Sequence, residues 1–204
     1  MKKRLRPIEI RRAARERLAG RWTGGVLTAI VLASALVACA FLLNISHGVC
    51  CVAAVLLAFP AVSVGCRWVF LNISRGDATS ASELFAPFGC WLRIMVAWLL
   101  VTFTVTAGML FLLVPGIILS LGLSMTFYIM RDDSAIPATE AMKQSWSAMR
   151  GHKREYFLLL LGFVGWMIPA SITVVGVLWL IPYVGTASAE FYNRVFEKND
   201  HEEI

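Results

Sequence analysis

The chain has 204 residues, of which 58% are hydrophobic and only 16% are charged. Soluble domains carry about 25% charged residues, so this composition argues against a water-soluble globular protein and indicates one whose surface faces lipid. The net charge of +6 would suit nucleic-acid binding only if it formed a basic face, whereas most of the excess lies in the first 21 residues. We therefore expect no nucleic-acid partner.

The first predicted element is a basic amphipathic helix over residues 8–22, within a cytoplasmic segment of residues 1–23. Proline at position 7 suits a first turn, and apolar residues recur every four positions at Ile10, Ala14, Leu18 and Trp22. Such a helix is expected to lie on the inner leaflet and to bind anionic lipids. The residues expected at this membrane surface are Arg11, Arg12, Arg15, Arg17, Arg21 and Trp22, with Arg150 and Lys153 from later in the chain.

Three stretches contain no Asp, Glu, Lys or Arg: residues 22–66, 94–130 and 156–189. Because about 20 helical residues cross the hydrocarbon core, each stretch is too long for one crossing and suits two. The sequence predicts an all-α polytopic transmembrane helical bundle, with six spans as three hairpins and short cytoplasmic interfacial helices. The six-span domain covers residues 24–192, with spans near 24–43, 49–66, 94–113, 115–130, 156–172 and 174–190, and residues 193–204 form a cytoplasmic tail.

Turn residues mark the expected hairpin breaks. They lie at residues 44–48, at Val114-Pro115-Gly116 and between residues 171 and 176. Two further interfacial helices are expected on the inner side, over residues 80–88 and 137–149. The second has an apolar side formed by Ile136, Met142, Trp146 and Met149.

The placement of basic residues predicts the orientation. With six spans, all 19 Lys and Arg fall on one side: nine before the first span, three between the second and third, five between the fourth and fifth, and two after the last. Short cytoplasmic loops collect Lys and Arg. We therefore expect a multi-pass protein of the bacterial cytoplasmic membrane, with both termini in the cytoplasm.

Prolines interrupt several predicted spans, and such breaks line substrate sites in some transporters. Prolines are also common in ordinary membrane helices, where they produce kinks or allow close packing. Glu190, the acidic residue closest to a span, either forms a local ion pair or faces a polar cavity. The candidate cavity or kink residues are Pro60, Pro115, Gly116, Pro169, Pro182 and Glu190.

Groups able to carry chemistry are scarce. No catalytic, cofactor-binding or metal-ligating set is expected, and no cofactor. Asp132 and Asp133 either hold a cation with Glu140 or form a turn that caps the next helix. An enzyme would need these groups and His152 to converge. The five cysteines are interpreted as small hydrophobic residues, although Cys39 follows a segment that resembles a lipoprotein cleavage box.

The second half resembles the bacterial integral membrane family called domain of unknown function 975. The shared strings are residues 128–132, 140–142, 149–153, 157–158, 165–166, 176–179, 182–183 and 191–192, together with Ser145 and the earlier segments 18–22 and 114–117. The resemblance implies a six-span bacterial membrane protein with no established activity. It assigns no site residues.

The leading hypothesis is a non-enzymatic integral membrane protein that organises lipid or partner proteins at the cytoplasmic face. Its expected partners are anionic inner-leaflet lipids and, as open alternatives, other membrane proteins or further copies of itself. The alternative function is a small-molecule or ion transporter or channel that uses the proline-broken helices.

Overall fold

The computed structural model describes residues 6–19, 22–45, 49–77, 81–172 and 174–202. These residues form helices and turns, with no strand among them, which confirms the all-α class. In chain order the helices are α1 (Pro7–Leu18), α2 (Trp22–Ile45), α3 (Val49–Arg75), a 3₁₀ helix (Ala81–Cys90), α4 (Trp91–Phe111), α5 (Leu113–Gly122), α6 (Thr126–Asp132), α7 (Ala138–Ala148), α8 (Lys153–Ile172) and α9 (Val174–Glu202).

Four predicted spans, 24–43, 49–66, 156–172 and 174–190, each lie inside one helix, although α3 and α9 continue well beyond their predicted ends. Helix α3 runs to Arg75 and is ended by Gly76, whose φ of 89° is a left-handed conformation that glycine adopts without strain. The N–H groups of Gly76 and Asp77 both donate to the Asn72 carbonyl, as in a Schellman-type helix end. The breaks near residues 46–48 and 173 lie outside the described residues.

The turn of the second hairpin lies earlier than Val114-Pro115-Gly116. Leu112 is extended, with φ −163° and ψ 140°, and separates α4 from α5. Pro115 instead lies in the first turn of α5, where its missing N–H costs no hydrogen bond. Gly116 allows the two helices to approach, because a Cβ there would lie 2.7 Å from the Met109 Cα. The predicted position of the turn was therefore wrong.

The predicted fourth span, residues 115–130, is interrupted. Helix α5 ends at Gly122 and α6 begins at Thr126. The break contains no proline. It is closed by Ser145 of α7, whose hydroxyl donates to the Gly122 carbonyl at 2.8 Å and accepts from the Met125 N–H at 3.2 Å. A side chain distant in sequence thus satisfies backbone groups that the break would leave unpaired.

Helix α7 contacts α4 and α6 through its small residues. Ala138, Ala141 and Ser145 are buried, while Trp146 is only half-buried. Small side chains let helices approach closely. Of the apolar side that the sequence predicted for this helix, Ile136 and Met149 are buried, whereas Met142 and Trp146 are only half-buried.

Large apolar side chains cover the outside of the α4–α5 hairpin and part of α8. Phe103, Leu110 and Phe111 are 75%, 86% and 85% exposed, and Trp166 of α8 is also exposed. Apolar patches of this size mark contact with lipid or protein. Two described segments, Ser82–Phe111 and Leu113–Asp132, are long and apolar enough to cross a membrane.

Candidate lipid-facing site

Helix α1 is fixed to the protein by its apolar side. Ile10, Ala14 and Leu18 are completely buried, and the helix contacts α3, α8 and α9. The amphipathic pattern is therefore correct, but its apolar side is covered by protein. This corrects the expectation that the apolar side of this helix lies on the inner leaflet.

Arg11 anchors α1 to the α8–α9 pair. Its Nη1 donates to the Gly162 carbonyl at 3.3 Å, and the Tyr183 hydroxyl donates to the Arg11 carbonyl at 3.2 Å. A Cβ at position 162 would lie 2.8 Å from the Arg11 Nη1, so the glycine leaves room for the guanidinium. Arg11 is thus a docking residue as well as a basic one.

The other described arginines of this helix point away from the protein. Arg12, Arg15 and Arg17 are exposed, and the Arg12 side chain is 82% exposed beside Glu16 at 3.1 Å. Arg21 lies outside the described residues. Trp22 is half-buried, with its ring centre 5.0 Å from that of Trp179, so it makes an internal aromatic contact.

The predicted surface residues Arg150 and Lys153 lie in the turn between α7 and the start of α8, where Gly151 has a φ of 86°. The Lys153 Nζ lies 3.0 Å from the centre of the Trp146 ring. Burial lowers the pKa of the Lys153 ammonium below its usual value, and the positive charge of Arg150 lowers it further. Arg150 and Lys153 thus place two basic groups close together just after α7, and the Arg150 side chain is exposed.

A polar cluster of Arg75, Asp132 and Tyr192 joins the C-terminal ends of α3 and α6 to the C-terminal half of α9. Arg75 donates two hydrogen bonds to the Asp132 carboxylate, at 2.6 and 2.7 Å, and the Tyr192 hydroxyl donates a third at 2.6 Å. The bonds to Asp132 raise the pKa of the Arg75 guanidinium. Arg75 also donates to Asn193 at 3.2 Å. The cluster ties together residues that are far apart in sequence.

Two basic residues next to this cluster lie over aromatic rings. The Arg67 guanidinium is 5.0 Å from the Phe127 ring centre, and that of Arg131 is 5.1 Å from the Trp68 ring centre. The Trp68 indole N–H donates to the Phe127 carbonyl at 2.9 Å. At this distance cations are attracted to aromatic faces. These arginines thus help to connect α3 to α6.

The prolines predicted to kink a span or line a cavity lie in different helices. Helices α3, α8 and α9 continue through Pro60, Pro169 and Pro182. Pro60 and Pro182 are buried and Pro169 is exposed. Glu190 is 8% exposed and lies 3.0 Å from Arg194, which agrees with the local ion-pair alternative.

The groups considered for catalysis each have a different neighbour. Asp133 accepts from the Ala135 N–H at 2.9 Å, so it forms a turn and does not cap α7, which begins after Pro137. The other neighbours are Arg75 and Tyr192 for Asp132, Lys143 for Glu140 and Glu155 for His152. Among the described residues, no group of three His, Cys, Asp or Glu side chains is placed to hold a metal ion.

The family model described as "Protein of unknown function (DUF975)" matches residues 93–199. The chain belongs to this family. This match confirms the family predicted from the sequence. The matched region includes Asp132, Ser145 and Tyr192 but not α1 or Arg75. No curated protein and no solved structure matches the chain.

Sequence reasoning assigned no role to Ser145, Arg75 or Tyr192. Ser145 and Tyr192 were within the strings that carried the family resemblance, and this was the one signal available. Their hydrogen-bond partners lie 20 to 60 positions away, so no local pattern indicated them.

Proposed function

We propose that this DUF975 protein is a non-enzymatic integral membrane protein of the bacterial cytoplasmic membrane that organises anionic lipids at its cytoplasmic face. The observation that carries the proposal is the exposed basic side of α1. Arg12, Arg15 and Arg17 are exposed while the opposite side of the helix is fully buried in the protein.

This arrangement supports electrostatic binding without insertion of the helix. Because α1 is already docked, its arginines are held in place before any lipid arrives. A basic residue near an anionic membrane surface contributes roughly 1 kcal/mol, so three arginines together supply up to about 3 kcal/mol. The attraction is screened beyond about 8 Å at physiological salt, and binding should weaken as salt is added.

The proposed topology has six spans as three hairpins, with both termini in the cytoplasm. It is supported by the two segments that are apolar and long enough to cross a membrane and by the location of every Lys and Arg on one side in this arrangement. It places α1, α7 and the Arg75 cluster at the same face.

The test uses the full chain reconstituted in phosphatidylcholine bilayers that contain spin-labelled phosphatidylglycerol or spin-labelled phosphatidylcholine. Electron spin resonance measures the fraction of each label that the protein immobilises. We expect a preference for phosphatidylglycerol that falls when Arg12, Arg15 and Arg17 are all changed to Glu. Arg11 is left unchanged because it anchors the helix.

The matched control changes the same three arginines to Lys, which keeps the charge. We expect the control to retain the preference for phosphatidylglycerol and its salt dependence. An unchanged preference in the Glu variant would refute a lipid-binding role for α1.

The interruption between α5 and α6 favours a second candidate function, transport, because discontinuous membrane helices line substrate and ion sites in transporters. Ser145 closes the interruption in this structure. A transporter would therefore have to separate α7 from α5 and α6 during its cycle. Uptake of a solute or ion by proteoliposomes that is lost in Ser145→Ala would favour this function over lipid organisation.

A further inference from the structure

A groove of about 500 Å³ lies between α4, α5 and α7. Its volume is within the 300–1,000 Å³ typical of ligand pockets. It is open on one side. Its lining includes Leu100, Leu119, Leu123, Trp146, Lys143 and Arg150.

The two ends of the groove differ in chemistry. One end is aliphatic and consists of Leu100 of α4, Leu119 of α5 and Leu123, which follows α5. These residues belong to the proposed third and fourth spans, so this end extends into the hydrocarbon region. The nearby Thr104 adds little polarity, because its hydroxyl already donates to the Leu100 carbonyl at 2.7 Å.

The other end is basic and lies at the proposed cytoplasmic interface. Arg150 is exposed, and no described carboxylate is within ion-pair distance of it. Lys143 is paired with Glu140 at 3.5 Å, but their side chains are 76% and 47% exposed, so this pair is weak. Lys153 adds positive charge behind the Trp146 ring.

Trp146 lies between the two ends, at the level where indole rings concentrate in membrane proteins. It is available for this because α7 packs through Ala138, Ala141 and Ser145. Met142 and Trp146, on the bulkier side of α7, line the groove.

We propose that this groove binds one anionic phospholipid, with an acyl chain along Leu100, Leu119 and Leu123 and the headgroup phosphate at Arg150 and Lys143. The charge complementarity at the mouth and the apolar lining below it favour this occupant over a peptide or a free anion. The inference rests on the proposed membrane location but concerns a site separate from α1.

The experiment uses the full chain in nanodiscs containing phosphatidylglycerol or phosphatidylcholine with brominated acyl chains, which quench nearby tryptophans. The difference in quenching between the native chain and Trp146→Phe isolates Trp146 from the other six tryptophans. We expect brominated phosphatidylglycerol to quench Trp146 at lower mole fraction than brominated phosphatidylcholine.

Two exposed positions test the basic end, each with a matched control. Arg150→Gln should lower the preference for phosphatidylglycerol about fivefold, the effect of one charge near an anionic surface, while Arg154→Gln, also exposed but outside the groove lining, should not. Ser147→Glu places a negative charge in the lining and should lower it similarly, while Gln144→Glu on the same helix should not.

Each of the other outcomes either supports or overturns the proposed lipid site. No preference in the native chain, or equal effects of Arg150→Gln and Arg154→Gln, would overturn the proposal. Soluble glycerol 3-phosphate should not relieve the quenching, because it lacks the acyl chain that lies along the leucines. Relief would show that the phosphate contacts alone hold the ligand, which would overturn the acyl-chain part of the proposal. Changing Arg12, Arg15 and Arg17 to Glu should leave Trp146 quenching intact, so the failure of one proposal is distinguishable from that of the other.

Discussion

The cluster of Arg75, Asp132 and Tyr192 predicts a specific order of stability losses. In Asp132→Ala, the Tyr192 hydroxyl loses its 2.6 Å acceptor at a position where the residue is only 2% exposed. Removing the partner of a buried donor costs about 1–3 kcal/mol. We therefore expect the hydroxyl contact to dominate the effect of this substitution.

The Arg75–Asp132 ion pair contributes less, although its two hydrogen bonds are short. The side chains are 37% and 36% exposed, so solvent screens the pair and limits its contribution to roughly 0–1 kcal/mol. Asp132→Ala should therefore lower the free energy of unfolding by about 1–4 kcal/mol in all, whereas Arg75→Ala should lower it by about 1 kcal/mol or less.

The assay is equilibrium unfolding of the full chain in mixed micelles titrated with dodecyl sulfate, carried out in the Tyr192 and Tyr192→Phe backgrounds. With Phe at position 192, Asp132→Ala should cost only about 0–1 kcal/mol, because the buried hydroxyl is absent. Asp133→Ala, which removes an adjacent exposed carboxylate, is the control and should cost about 1 kcal/mol or less. Equal costs of Asp132→Ala in both backgrounds would show that the reasoning about Tyr192 is incorrect.

Ser145→Ala should lower the free energy of unfolding by about 2 kcal/mol, because it removes both hydrogen bonds that close the α5–α6 break, while Ser147→Ala on the exposed side should change it by less than about 0.5 kcal/mol. Gly122→Ala would place a Cβ 2.4 Å from the Trp146 ring and should destabilise the protein by about 1–3 kcal/mol. Its control is Gly165→Ala, whose Cβ meets nothing within 4 Å and which should be neutral or stabilising by up to about 1 kcal/mol. The same dodecyl sulfate titration measures both changes. In a chain whose five native cysteines are changed to Ala, Leu112→Cys should react with an impermeant maleimide from outside and Ser147→Cys only after permeabilisation, and the reverse pattern would contradict the proposed orientation.

The sequence by itself determined the helical class and most helix positions. Uncharged apolar stretches and turn residues are local signals, and the backbone satisfies its hydrogen bonds within each helix, so a local pattern is sufficient. The sequence predicted the ends of the helices less well than their positions. The pattern predicted that one span ends at residue 66, but α3 continues to Arg75, because the backbone hydrogen bonds of a helix do not stop where its apolar stretch ends.

Tertiary structure alone decided which sides of the helices are covered. The spacing of Ile10, Ala14 and Leu18 indicated an apolar side on α1, but not whether lipid or protein covers it. The answer depends on Gly162 and Tyr183, which bond to Arg11 of the same helix from 151 and 172 positions away. Likewise, small residues proved to be the packing side of α7, because close approach to α4 and α6 matters more there than side-chain hydrophobicity.

The interruption of the fourth predicted span was also decided by tertiary contacts and not by a local sequence pattern. Residues 122–126 contain no proline, and the stretch is apolar enough to be predicted as continuous helix. The helix ends there because Ser145 offers both a donor and an acceptor to the freed backbone groups. Composition and periodicity thus determined where helices form in this protein, whereas contacts between residues distant in sequence determined where the fourth predicted span breaks, which sides are buried and where the groove between α4, α5 and α7 forms.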